Sequence, residues 1–219
     1  SKQLFYTILL VSTVIMVLFL ALRYPLLNLV FGHIDADVMA SAQTYFWITA
    51  LSYPFLAMYN ASAALLRAMG NAKASLYTSL VMNIFNIVGN ALLIYVVGMG
   101  VAGAATATLV SRIVGALLMQ RTLQEPNNLI PYPVLHKFEW RGDMVKRILS
   151  VGVPTGLENS FFQFGKLVLL RLISTFGTAS IAANAVANSL TTLEVLPGNA
   201  IGLAMVAVVG RCIGAKEYD

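Results

Sequence analysis

Six long stretches of this chain carry almost no charge, and that constrains its fold more than anything else in the sequence. They run over residues 4–30, 39–66, 75–97, 101–118, 148–176 and 180–213. An α-helix crosses the ~30 Å hydrocarbon core of a bilayer with about 20 apolar residues, and each stretch is close to that length or longer. Strands of a membrane barrel would be ~9–11 residues with apolar and polar side chains alternating, whereas these runs are continuous. The expected fold class is therefore an all-α integral membrane protein with six transmembrane helices. Composition points the same way. Hydrophobic residues make up 58% and charged residues 11% of the chain, against about 45–50% and 25% in soluble domains. That leaves too little polar surface to cover a water-soluble globule, which excludes a disordered chain, a soluble nucleic-acid binder and an ordinary cytosolic enzyme.

Proline and glycine punctuate the runs. Pro54 predicts a kink in the second, and Pro197-Gly198 a bend or break in the sixth. The GMGVAG at residues 98–103 matches a dinucleotide fingerprint, but such a site needs a preceding strand and an acidic residue about 20 positions on. Here the preceding run has helix length, and position 120 is Gln120. A tight turn with close-packing glycines is the better reading. The pairs Gly152/Gly156, Gly198/Gly202 and Gly210/Gly214 read as small-xxx-small helix contacts. The lone Cys212 excludes an intrachain disulfide and a cysteine metal cage.

The net charge of +5 does not indicate nucleic acid, because the basic residues fall between the apolar runs rather than on one face. Six crossings put both chain ends on one side. Lys2, Arg67, Lys73, Arg121, Lys137, Arg141, Lys146, Arg147, Arg211 and Lys216 gather there, while the opposite side has Arg23 beside Asp35 and Asp37. By the positive-inside rule both ends are expected to be cytoplasmic, in a plasma membrane. Between Arg121 and Lys146 the chain turns polar, with Pro126, Pro131 and Pro133 forbidding a continuous helix. Tyr132, Phe138 and Trp140 suit the headgroup level. The expected organisation is a first bundle over 1–122, a cytoplasmic connector over 123–143 and a second bundle over 144–219.

At about 100° per residue, Thr155, Glu158, Asn159, Gln163 and Lys166 share one side of the fifth span, and Leu157, Phe161, Phe164, Leu167 and Val168 the other. In the sixth, Asn184, Asn188, Thr191 and Glu194 lie within about 120° of one another. A polar stripe on a membrane helix must face protein or water, and carboxylates there are functional hypotheses by default. Removing a carboxyl from water disfavours its charged form. Glu158 and Glu194 are thus candidates for binding a proton, Na⁺ or a cationic substrate. The structural alternative is an ion pair with Lys166, which reaches a depth similar to Glu194 on an antiparallel neighbour. In the third span Asn83, Asn86 and Asn90 sit within a ~60° arc, placed either to glue helices together or to line a cavity. His33 and His136 have no partners at metal-ligand spacing, and no nucleophile elbow, phosphate loop or HExxH occurs. No metal, cofactor or catalytic residue is expected.

The stretch LLRAMGNAKASLYTSLVMNIFNIVGNALLIYVVGMGVAGAATATLVSR, from Leu65, resembles the fourth-to-sixth helix region of multidrug and toxic compound extrusion (MATE) transporters. Arg67 and Gly70 match its R-x-x-G element, Asn83 and Asn90 its Asn-bearing fifth helix, and residues 100–108 the run that opens the sixth. GVPTGLENSFFQFGK, from Gly152, resembles the seventh-helix opening of a bacterial branch, and VGRCIGAKEYD, from Val209, the motif closing the eighth. The resemblance implies a fold of two six-helix lobes around a central cavity, of which this chain supplies helices three to eight. It implies export of small organic cations or amphiphiles against inward H⁺ or Na⁺ by alternating access of the lobes. The coupling ion is the only cofactor implied, and the parent's remaining helices and membrane lipids are the implied partners. One position departs from the pattern. Many members carry the seventh-helix acid eight residues past the proline, where this chain has Phe162; Glu158 lies one turn earlier on much the same face. Glu158 is the first candidate for coupling and Glu194 the second. Asn159, Gln163, Lys166, Asn83, Asn86 and Asn90 are candidates for the substrate cavity. The absence of a first Met and the charged, abrupt end are expected of an internal fragment. Two rivals remain: a lipid-linked saccharide flippase, favoured by Arg112, Lys166 and Arg171 facing one cavity, and a non-transporting scaffold, favoured by buried pairing of both glutamates.

Overall fold

A computed structural model describes residues 2–31, 36–124, 142–174 and 176–215, and nearly all of them are helical. The chain divides into two compact units, Ser1–Trp140 and Arg141–Asp219. In the first unit the opening apolar run forms α1 (Lys2–Ala21) and α2 (Arg23–Phe31). Their junction at Leu22 reflects Pro25, which has no N–H to offer the carbonyl of Ala21. Hydrogen bonding continues across it, from Leu22 N to Leu18 O at 2.9 Å and from Leu26 N to Leu22 O at 3.0 Å.

The second run forms α3 (Ala36–Leu51) and α4 (Tyr53–Ala68). The kink expected at Pro54 is a break at Ser52, with the proline in the first turn of α4, where a missing N–H is tolerated. The Ser52 hydroxyl, fully buried, donates to Thr49 O at 2.6 Å. Helix α5 (Ala72–Ala91) begins after Gly70, at φ 84°, and is capped by the Asn71 side chain, which accepts from Ala74 N at 3.2 Å. It runs on into a π-helical turn, Leu92–Val96. Gly98 and Gly100, at φ 74° and 53°, then reverse the chain into α6 (Gly100–Leu123). The GMGVAG segment is thus a helix-to-helix turn, and the helical conformation before it removes the dinucleotide reading.

Helix α6 packs against α3, α4 and α5, and α1 against α4 and α3. Small residues let α6 sit among three neighbours: Gly103, Ala105, Ala107, Ser111, Gly115 and Ala116 are all buried. Close backbone approach of this kind is what drives helix association in lipid, where no hydrophobic effect separates one apolar surface from another. The core joins Tyr59, Ala63 and Leu66 of α4 to Ala116, Met119 and Leu123 of α6, with Phe5, Phe55 and Met82 against it.

The second unit is two helices packed on each other, α7 (Gly142–Ser174) and α8 (Thr178–Ala215). The expected bend or break at Pro197-Gly198 does not interrupt α8, which stays helical for 38 residues. One missing N–H leaves the bonds on either side intact, and membrane helices tolerate the loss. Among the described residues the contacts expected of Gly152/Gly156, Gly198/Gly202 and Gly210/Gly214 are also not made, since a Cβ on any of these glycines would meet nothing within 4 Å. Each helix has a single neighbour in this unit, and these glycines are turned away from it.

Among the described residues, four helices are long and apolar enough to cross a membrane: Gln3–Ala21, Ala72–Val96, Gly100–Leu123 and Ala183–Ala215. The second expected crossing is divided between two 16-residue helices, and polar side chains lower the hydropathy of α7. The chain is an all-α, multi-pass membrane protein. The readings of the connector, including its prolines and aromatic residues, fall on residues 125–141, outside the described residues; α6 reaches Leu123 before it and α7 begins at Gly142. His33, Asp35 and Lys216 also lie outside them.

Candidate functional site

Two of the places where polar side chains of the first unit meet bear on the candidate residues. Asn86 Nδ2, on α5, donates to Thr108 Oγ1 at 3.4 Å and Ser111 Oγ at 3.3 Å, both on α6. Asn90 Nδ2 donates to Asn86 Oδ1 at 3.1 Å, which extends the chain of bonds one turn along α5. Asn90 Oδ1 is buried and has no hydrogen-bond partner among the described residues. A buried acceptor left unpaired costs about 1–3 kcal/mol. Asn83 is exposed and turns back to its own helix, donating to Ser79 O at 2.9 Å. The three asparagines therefore divide: Asn86 bridges α5 to α6, Asn90 bonds to Asn86 along α5, and Asn83 turns back to its own helix backbone.

The second place is the α3–α4 break, where Arg112 of α6 donates through Nη1 to Ser52 Oγ. Thr49 Oγ1, three residues before, is buried without a hydrogen-bond partner among the described residues. The break places the Ser52 hydroxyl inside the bundle, where the guanidinium, a rigid fork of donors, reaches it. Neither Thr108, Ser111 nor Ser52 stood out in the sequence. Hydroxyl residues are common in membrane helices, and their spacing on α6 has meaning only once α5 is known to lie against it. Proximity of Ser52 to Pro54 was the available signal for the other.

In the second unit Glu158, Asn159, Gln163 and Lys166 of α7 and Glu194 of α8 are all exposed. Thr155 Oγ1 donates to Val151 O at 3.0 Å and Asn159 Nδ2 to Thr155 O at 2.9 Å, so these side chains satisfy their own helix. Lys166 does not pair with either glutamate. Its Nζ lies 4.8 Å from the centre of the Phe162 ring, one helical turn back, a cation–π contact worth about 0.5–1 kcal/mol at an exposed site. The expected ion pair is thus replaced by a contact within one helix, because i, i+4 neighbours meet without any tertiary alignment. Among the described residues neither Glu158 nor Glu194 has a hydrogen-bond or ion-pair partner, and no group of His, Cys, Asp and Glu could hold a metal ion.

Comparison with known proteins places this arrangement. The chain is 28% identical over 173 residues to the probable multidrug resistance protein YpnP of Bacillus subtilis, covering 79% of this chain and 38% of that protein. It is 26% identical over 198 residues to the probable multidrug resistance protein NorM of Thermotoga maritima, covering 86% of this chain and 42% of the relative. A solved structure, the outward-facing conformation of a multidrug resistance MATE family transporter of the MOP superfamily, shares its fold. The TM-score is 0.85 at 22% identity, over 97% of this chain and 47% of that one. The chain thus spans less than half the length of these relatives. The MatE family model matches residues 1–92 and 154–219, well over half of the chain. On that match, and on helices that superpose on a transporter of the same kind, the chain belongs to the MatE family of membrane transporters.

Proposed function

We propose that this chain is the central half of a secondary transporter that exports small organic cations or amphiphiles in exchange for H⁺ or Na⁺, by alternating access of two lobes. Glu158 is the observation that carries the reading. It is a carboxylate in the interior of α7, on the polar side of the helix, with no partner among the described residues. Its cost within a bilayer is offset when a proton, Na⁺ or an organic cation neutralises it. Glu194 on α8 is a second acid of the same kind. Asn159, Gln163 and Lys166 shape the α7 face beside Glu158, and Asn90 Oδ1 offers an acceptor in the first unit. Relatives described as probable multidrug resistance proteins support an organic substrate. The basic residues gathered at one side of the spans support cytoplasmic ends.

The test uses the full-length protein in proteoliposomes. Efflux of a fluorescent organic cation is followed under an imposed pH gradient and then a Na⁺ gradient. Glu158→Gln is expected to abolish gradient-driven efflux while the protein remains inserted and folded. Unchanged efflux would reduce Glu158 to a packing residue. No efflux by the wild type under either gradient would favour a flippase for lipid-linked saccharides.

A further inference from the structure

The first unit has a groove of about 600 Å³ lined by Arg23, Ala40, Gln43, Thr44, Trp47 and Ile48. Its floor is one face of α3: positions 40, 43, 44, 47 and 48 follow the i, i+3, i+4, i+7, i+8 pattern of a single helical stripe. Arg23 closes it from the start of α2. The floor is graded along its length. Gln43 and Thr44 form a polar band, and Trp47 and Ile48 form an apolar band about one turn deeper.

The lining offers hydrogen-bond donors and a positive charge. A guanidinium has five N–H groups. Arg23 uses Nη2 toward the Tyr24 hydroxyl, at 3.3 Å, and lies 4.7 Å over the Tyr24 ring, which leaves most of its donors aimed elsewhere. Thr44 Oγ1 donates to Ala40 O at 3.0 Å and so keeps an acceptor free. Gln43 brings an amide with no hydrogen-bond partner among the described residues. No carboxylate is among the described lining residues. Attraction comes from the groove's own donors and the charge of Arg23.

Depth identifies the occupant. Helix α1 has 20 residues, about 30 Å at 1.5 Å per residue, which matches the hydrocarbon core. With Lys2 at one headgroup level, Arg23 stands at the other. Trp47, 46% exposed, and Tyr24, 51% exposed, are the amphipathic rings that favour that boundary. We propose that this groove binds the phosphodiester headgroup of an anionic glycerophospholipid. Arg23 and Gln43 donate to the phosphate oxygens, and the upper acyl chain lies over Trp47 and Ile48. The volume suits a headgroup and the first methylenes, with the remainder of the lipid in the bilayer. The proposal is independent of what the protein transports.

The test titrates the full-length protein with phosphatidylglycerol and with phosphatidylcholine, counting retained lipids by native mass spectrometry. Arg23→Gln is expected to weaken the tightest phosphatidylglycerol binding about tenfold, as loss of one charge-assisted hydrogen-bonded pair would. Arg23→Lys is expected to keep part of it, and phosphatidylcholine to bind weakly to every variant. Unchanged phosphatidylglycerol binding in Arg23→Gln overturns the proposal, as does equal binding of phosphatidylcholine by the wild type. Displacement of phosphatidylglycerol by millimolar inorganic phosphate would make a soluble anion the occupant and overturn the lipid assignment. If Arg23→Gln does not fold, Gln43→Leu with Thr44→Val tests the same groove, and unchanged binding there also overturns it.

Discussion

A Cβ built on Gly103 would lie 3.0 Å from the carbonyl oxygen of Leu93 and 3.1 Å from the Leu93 Cβ. On the same helix, a Cβ on Gly115 would meet Met82 Sδ at 2.7 Å. The shorter contact is the more forgiving one. A thioether at the end of a flexible side chain can move aside, whereas a backbone carbonyl in the π turn cannot move without opening α5 from α6. Overpacking a tight site costs about 1–3 kcal/mol, and Gly→Ala inside a helix returns up to about 1 kcal/mol of propensity. Gly103→Ala is therefore expected to destabilise the full-length protein by about 1 kcal/mol more than Gly115→Ala, read from unfolding transitions in detergent. Equal stability of the two variants would mean that the π turn yields as easily as a methionine. The GMGVAG spacing was legible as a turn. That the last of its glycines faces a carbonyl of the preceding helix was not, because the approach depends on the π turn, which nothing in LLIYV announces.

Between helices, α5 and α6 are tied by Asn86 through Thr108 and Ser111. Such bonds across membrane helices average about 0.6 kcal/mol and reach about 1.7. Asn86→Leu is expected to cost about 0.5–1.5 kcal/mol in reversible unfolding from mixed micelles. Asn83→Leu, whose amide bonds only its own turn among the described residues, is expected to change stability by less than about 0.5 kcal/mol. Equal losses would show that the bridge to α6 contributes nothing beyond local helix formation. The arc of three asparagines was readable from spacing; that Asn86 is the one bonded to α6 depends on where α6 crosses. Pro54 and Pro197 give the same lesson. Both were read as interruptions, yet only Pro54 coincides with one. There Ser52 and Arg112 supply partners where the chain breaks inside the bundle, whereas α8 stays helical through Pro197.

For the whole molecule, the two units differ in how much of themselves they cover. The first has a buried core running from α1 through α4 to α6, while α7 and α8 expose nearly every described side chain, including Phe161, Phe162, Phe164 and the long apolar run of α8. Two helices can each hide one stripe and no more. Since the chain spans less than half the length of its relatives, the protein of residues 1–219, reconstituted by itself, is expected to show no gradient-driven efflux of organic cations in proteoliposomes. Robust efflux would refute the requirement for a second complete lobe. What the sequence determined without help was the solvent of this protein, its helical class and the turn at residues 98–100. These follow from the length of uncharged runs and the local chemistry of proline and glycine, and backbone groups in lipid have no alternative to helical pairing. The tertiary structure decided which polar residues meet. Thr108 and Ser111 became partners of Asn86, Ser52 a partner of Arg112, and Lys166 a neighbour of Phe162 rather than of Glu194. Those choices depend on interhelical register and rotation set by close packing of small side chains, which residue spacing along one helix does not encode.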